Sequence, residues 1–242
     1  MACIFARADP ATSRERRAGL ACGVLEVAFV PHPPALVREL SGGQVPALEA
    51  VRFATTTAVE RLLTPAPDRV CIVGSGPEPR EYGGGQLAGA PVLDALAAYG
   101  GLGPRPAAPG TLPLALAIGG WLLDRAGFVG TRTGLAGPAP AVDAEVLLVV
   151  GDGSARRDPE APGTFDPAAV PFDDTVARAL AAGDPAALAA LDPEVGTRVL
   201  ATGTGAWRRV GELLTGRDVL ADLTYYAAPF GVAYFVANWT VR

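Results

Sequence analysis

The sequence predicts an α/β fold, a three-layer sandwich with a central mostly parallel or mixed sheet flanked by helices. Three observations carry it. Two short runs, "RVCIVGS" (69–75) and "EVLLVV" (145–150), are almost wholly apolar, as strands covered on both faces should be. Val45, Leu48, Val51, Thr55, Val59 and Leu62 recur at helical spacing between strand-like runs. Strand and helix signals alternate along the chain, the pattern of a layered α/β domain.

The elements follow in order. "VLEVAFV" (24–30) is β-rich and is closed by Pro31, Pro33 and Pro34, so it is a first strand. After an "SGGQ" turn comes the amphipathic helix, which "PAPD" ends. "RVCIVGS" is the second strand. Residues 76–112 are rich in Gly and Pro and predict a long irregular region with one short helix around "PVLDALAAYG"; such a loop in a compact domain often sits at a binding face. Leu114 to Ala126 reads as a buried helix. "EVLLVV" is a further strand that runs into "GDGSARR". Beyond the loop "DPEAPGTFDPAAVP", the stretch "FDDTVARALAAGD" predicts a helix with an acidic first turn. "DPAALAAL" and "DPEVGTRVLATGTGAWRRVGELL" add two or three more, with Asp184 and Asp192 as N-caps ahead of proline. "VLADLTYY" and "GVAYFVANW" predict two closing strands joined through "AAPF". Residues 24–242 are expected to form one domain. Residues 1–23 are polar, basic and aperiodic; they are expected to be a disordered N-terminal extension or sequence upstream of the true start.

Composition removes several function classes. The chain has no lysine, and all 20 basic residues are arginine. Schiff-base chemistry and the Walker-type phosphate loop both need a lysine, so neither is available. A net charge of −5 without a long basic run argues against nucleic-acid binding. The best candidate for a membrane span, "LPLALAIGGWLLDRAG", is cut by Pro113, Asp124 and Arg125 and falls short of the roughly 18–20 apolar residues a bilayer needs. Cys3, Cys22 and Cys71 show no CxxC spacing, which suits reduced thiols in a cytoplasmic protein.

His32 is the single histidine. Prolines on both sides present it from a stiff turn at a strand end. It is read as a cleft or core histidine around which the turn packs, with metal ligation or acid/base duty as the alternative. Ser75 lies in "VGSGP", where Val73 and Pro77 replace the glycines of a nucleophile elbow. A polar turn residue is the favoured reading, and a dyad with His32 oriented by Asp152 is the alternative. "GDGSAR" offers G-x-G, but Arg156 stands where a dinucleotide fingerprint needs its third glycine. Asp152 and Ser154 are expected to tie this turn. Arg156 and Arg157 are expected to be solvated charges, or else to face an anionic ligand. Tyr225, Tyr226, Phe230, Tyr234 and Phe235 form an aromatic cluster, read as alternating strand packing or as a wall for a flat ligand.

Four segments, taken in order, carry a family resemblance: "FVPHPPAL", "VGSGP", "GDGSARRDPEAPGTFDPAAVPFDDTVARALAAGDPAALAALDPE" and "YYAAPFGVAYFVANW". Together they resemble the class III extradiol ring-cleavage dioxygenase superfamily, with its LigB-like fold. The likeness is greatest to stand-alone subunit-B-like proteins and the B component of the AmmeMemoRadiSam group, and it spans roughly Val24 to Trp239. The resemblance implies a non-haem Fe(II) held by two histidines and a glutamate, with open positions for a catechol-type diol and O₂, and a further histidine acting as acid/base. Carried over, the first ligand falls on His32, the second on Ser75, the glutamate on Ala227 and the acid/base histidine on Ala155. Only His32 keeps its chemistry. One histidine cannot supply a two-histidine site under any alignment. A rebuilt site from His32, Asp152 and Glu78 would bind Fe(II) or Zn(II) more weakly and less selectively.

The sequence thus predicts a subunit-B-like protein that has lost Fe(II) binding and ring cleavage and acts as a non-catalytic binding or scaffolding protein. Its expected cleft is lined by His32, Ser75, Asp152, Ser154, Arg156 and Tyr226. No cofactor is expected, and Fe(II) only if the family activity were retained. The partners foreseen are a small-molecule ligand and a homo-oligomer or small partner subunit, with no nucleic acid and no membrane. The alternatives are an active iron dioxygenase on catechol-type aromatics and a metal-independent enzyme using His32.

Overall fold

Strands β1 (Leu25–Val30), β2 (Arg69–Gly74) and β5 (Val146–Val150) are apolar on both sides and run parallel at the centre of one sheet, with β5 between the other two. The computed structural model describes residues 24–38, 40–41, 45–76, 79–99, 111–137 and 146–242. The expectation for residues 1–23 lies outside the described residues, as do Cys3 and Cys22. β4 (Thr131–Ala136) extends the sheet in parallel beyond β2, and β3 (Arg80–Tyr82) closes that edge antiparallel. On the other side β7 (Tyr234–Val241) pairs antiparallel with β1, and β6 (Val219–Ala227) forms the edge beyond it. The order is β3–β4–β2–β5–β1–β7–β6, a seven-stranded mixed sheet.

Helices cover both faces, as central strands without a polar side require. On one face lie α1 (Pro46–Leu63), α2 (Ala90–Tyr99) and α3 (Leu114–Arg125). Their core joins Leu48, Val51, Val59 and Leu62 of α1 to Ala28, Val30, Ile72 and Leu148 of the sheet. On the other face lie α4 (Ala169–Ala182), α5 (Pro185–Ala189), α6 (Pro193–Arg198) and α7 (Thr204–Leu214). There Val27, Phe29, Val149 and Trp239 meet Val176, Leu180, Trp207 and Val210. Phe29 meets Trp239 edge-on at 4.8 Å, and the Trp239 indole N–H donates to the Leu180 carbonyl at 2.8 Å. Each fully buried side chain of this kind contributes about 1.5–3 kcal/mol. Cys71 is buried on β2 and its thiol is pushed up to about 12 by burial, which makes it an inert core residue.

The periodicity in α1 and the three central strands are found as expected. Asp184 accepts from the Ala187 N–H, and Asp192 from those of Glu194 and Val195, so both N-caps are present. β3 lies inside the stretch 76–112 that was expected to be irregular apart from one short helix; it is a three-residue edge strand that pairs with β4. Two further elements differ. β4 was not anticipated, because its sequence TRTGLA carries Arg132 and Gly134 where an apolar strand was sought. Arg132 is nonetheless buried: its guanidinium donates to the carbonyls of Leu87, Gly120 and Phe128 and to the Asp124 carboxylate. Second, α4 begins at Ala169, so Asp173 and Asp174 do not form an acidic first turn. Asp173 shares the buried face with Ala169, Phe172, Val176 and Leu180 and is wholly enclosed. Among the described residues no helix is long and apolar enough to cross a membrane.

Candidate functional site

In α/β sheets the crevice for a ligand forms beyond the carboxyl ends of the parallel strands. Here β1 and β5 end together at Val30 and Val150, and the Gly151 N–H donates to the Val30 carbonyl at 3.0 Å. Two residues on, the chains deliver His32 and Asp152. The backbone N–H of His32 donates to Asp152 Oδ1 at 2.7 Å. The imidazole Nδ1 stands 3.4 Å from the same oxygen without a hydrogen bond to it. His32 is only 6% exposed, so the pair is close to sealed. Tyr234, the first residue of β7, adjoins it and is also buried. Its phenol is held well above the ordinary tyrosine value, by burial first, then by the Asp152 charge and by Tyr225.

The glycines of "GDG" have a packing explanation. A Cβ on Gly151 would lie 2.3 Å from Gly203 Cα, just ahead of α7. A Cβ on Gly153 would lie 2.7 Å from each of Ala233, Asp173 and Phe235. The loop is therefore pressed between α7, α4 and β7, and no phosphate need be invoked for either glycine.

Ser154 turns away from His32. Its N–H donates to Asp173 Oδ1 at 2.8 Å and its hydroxyl donates to Asp173 Oδ2. Arg157 donates to Asp173 Oδ2 at 2.8 Å and to the Tyr226 hydroxyl at 2.9 Å, and that hydroxyl donates to Asp174 at 2.7 Å. The Tyr226 ring lies under the Arg157 guanidinium and stacks on Phe235 at 4.9 Å. Burial holds Asp173 above the usual carboxylate range, against the hydrogen bonds of Ser154 and the Arg157 charge. Tyr226 is pushed up to about 12 by burial and by its bond to Asp174. This network fastens the 151–157 loop to α4 and β6.

The predicted site residues thus fall into two groups. His32 and Asp152 meet at the sheet end. Ser154 and Tyr226 belong to the network on the α4 side, where Tyr226 packs, whereas Tyr234 packs on the opposite face of the sheet. Ser75 is half-buried beyond β2, with β5 between its strand and that of His32. Among the described residues no hydrogen bond joins Ser75 to His32. Arg156 is half-buried with its Nε enclosed and unpartnered. Arg157, expected at the surface, is in fact the cation of a largely buried ion pair, its side chain 18% exposed. Of the aromatic cluster, Phe230 is exposed and Phe235 is core. The sequence reading missed Asp173, although its i, i+4 spacing from Ala169 already placed it on the apolar face of α4.

The donor set does not fit a facial-triad iron site. Of the ligand positions, Ala227 carries no side-chain donor atom and Ser75 only a hydroxyl; the acid/base position holds Ala155, and Glu78 lies outside the described residues. Among the described residues no group of three or more His, Cys, Asp or Glu side chains is placed to hold a metal ion. No protein-family model matches the chain, and no curated protein matches it.

Proposed function

We propose that the chain is a LigB-like, class III extradiol dioxygenase-like protein that has lost Fe(II) binding and ring cleavage and serves as a non-catalytic binding or scaffolding protein, alone, as a homo-oligomer or with a small partner subunit. One observation carries the reading: of the four positions that the resemblance assigns to the reaction, only His32 retains a metal-binding or proton-transferring group. Its surroundings agree with the loss. His32 is buried against Asp152 through its own backbone N–H, so the carboxylate ties the turn. Arg157, two residues after the acid/base position Ala155, is likewise engaged with a protein partner, Asp173. The absence of a membrane-spanning helix among the described residues and the buried reduced Cys71 accord with a cytoplasmic location.

The test is iron content after anaerobic Fe(II) reconstitution of wild type and His32→Ala, followed by a ring-cleavage assay on catechols. Iron at the level of a buffer blank in both proteins, with no cleavage product, is the expected result. Stoichiometric iron that disappears in His32→Ala overturns the proposal. The 3.4 Å approach of Nδ1 to Asp152 favours a second reading, a metal-independent enzyme with His32 as base and Asp152 as its orienting carboxylate. That reading requires a turnover that His32→Ala abolishes while the variant's unfolding midpoint is kept.

A further inference from the structure

A cleft between α1 and α3 takes no part in the reading above. It encloses about 270 Å³, at the small end of ligand pockets, which suits a single ring and excludes a nucleotide. Two aromatic side chains line it: Phe53 of α1, 75% exposed, and Trp121 of α3. A large apolar ring left this open on a helix, across a cleft from a second ring, is the arrangement of an aromatic ligand's walls.

Charge narrows the class. Arg38, Arg52 and Arg125 line the cleft against one carboxylate, Glu49. Glu49 is shared by Arg38 at 2.6 Å and Arg52 at 2.7 Å. Arg52 is further engaged by the carbonyls of Leu36 and Ala35. Arg125 differs: it lies over the Trp121 ring at 5.2 Å, and among the described residues no carboxylate pairs with it.

We propose that this cleft binds a small aromatic monocarboxylate. The ring lies between Phe53 and Trp121, and the carboxylate faces Arg125. A neutral aromatic would leave the excess of arginines unmatched. A bare anion would leave Phe53 uncovered.

Benzoate is the probe, titrated into the full chain and followed by tryptophan fluorescence and calorimetry. Trp121 reports the cleft, because Trp207 and Trp239 are buried in the core. Saturable binding is expected, with benzamide weaker by about tenfold or more, since it lacks the charge that strengthens the contact to arginine. Arg125→Gln is expected to weaken benzoate by about tenfold or more. Arg61→Gln, at the exposed Asp222 pair outside the cleft, is expected to leave affinity unchanged. No saturation, equal affinity for benzamide, an unchanged affinity in Arg125→Gln, or inorganic phosphate bound as tightly as benzoate each overturns the proposal. Iron content plays no part in these outcomes, so this test and that of the proposed function fail separately.

Discussion

The backbone N–H of His32 and the side chain of Asp152, 120 residues apart in sequence, are joined by a 2.7 Å hydrogen bond at the carboxyl end of the central strands. Parallel pairing of β1 with β5 makes this possible, because it brings Val30 and Val150 level and lets each chain run two residues further. The Asp152 carboxylate thus replaces the next rung of a sheet that has ended. Removing it strands a buried donor in a turn already short of donors, since Pro31 and Pro33 have none.

Asp152→Ala is therefore expected to lower stability by about 1–3 kcal/mol, the cost of an unsatisfied buried N–H. Asp152→Asn keeps the acceptor oxygen and is expected to lose less than about 1 kcal/mol. Urea unfolding of the two variants beside wild type gives both numbers. Equal losses in both would mean that the charge, and not the acceptor, holds the turn.

The Arg157–Asp173 pair yields a second expectation. Asp173 is fully enclosed, and Arg157 is its one cationic partner among the described residues. Breaking a buried pair by removing one member costs about 3–5 kcal/mol, because the other charge is left without compensation. Arg157→Ala is expected near that range, with some of the loss coming from the uncovered Tyr226 ring. Asp173→Asn alone leaves Arg157 with the Tyr226 hydroxyl and is expected to cost less. In the double variant the losses are expected to fall short of additivity by about 1 kcal/mol or more. Additive losses in thermal or urea melts would show the two side chains to be uncoupled.

How much of this was legible in the sequence follows from the range over which each cause acts. The face of α1 rests on residues three or four apart, and the Asp184 and Asp192 caps rest on an Asp-Pro step with bonds two or three residues on; both were read correctly from the sequence. β4 was not, because Arg132 is buried only by virtue of carbonyls at Leu87, Gly120 and Phe128, which the fold assembles. The candidate cleft divided for a similar reason. His32, Ser75, Asp152, Ser154 and Tyr226 all sit near strand ends, but the side of the sheet that each one faces depends on strand order and on the alternation of side chains along each strand. Ser154 and Tyr226 consequently joined Asp173 and Asp174, and the glycines around Asp152 proved to be contact points for Gly203, Ala233 and Phe235.

Tyr234 provides the pH-dependent expectation. An exposed tyrosine ionises near pH 10, and that of Tyr234 in the folded protein is raised by burial, by Asp152 and by Tyr225. Above pH 10 the unfolded chain therefore releases a proton that the folded one keeps. Proton linkage then makes stability fall as pH rises, whereas below pH 10 the contribution is fully present. Tyr226, raised to about 12, acts in the same direction. Tyr234→Phe keeps the ring and removes the ionisation, and Tyr226 remains in both proteins, so its share cancels in their difference. Between about pH 9 and about pH 11 the wild type is expected to lose about 1 kcal/mol more than Tyr234→Phe, given about 1.4 kcal/mol per unit of pKa difference. Urea midpoints across that range supply the comparison. A constant gap between the two proteins would mean that the Tyr234 phenol reaches solvent and ionises as freely in the folded chain as in the unfolded one, and that the corner around His32 and Asp152 is open.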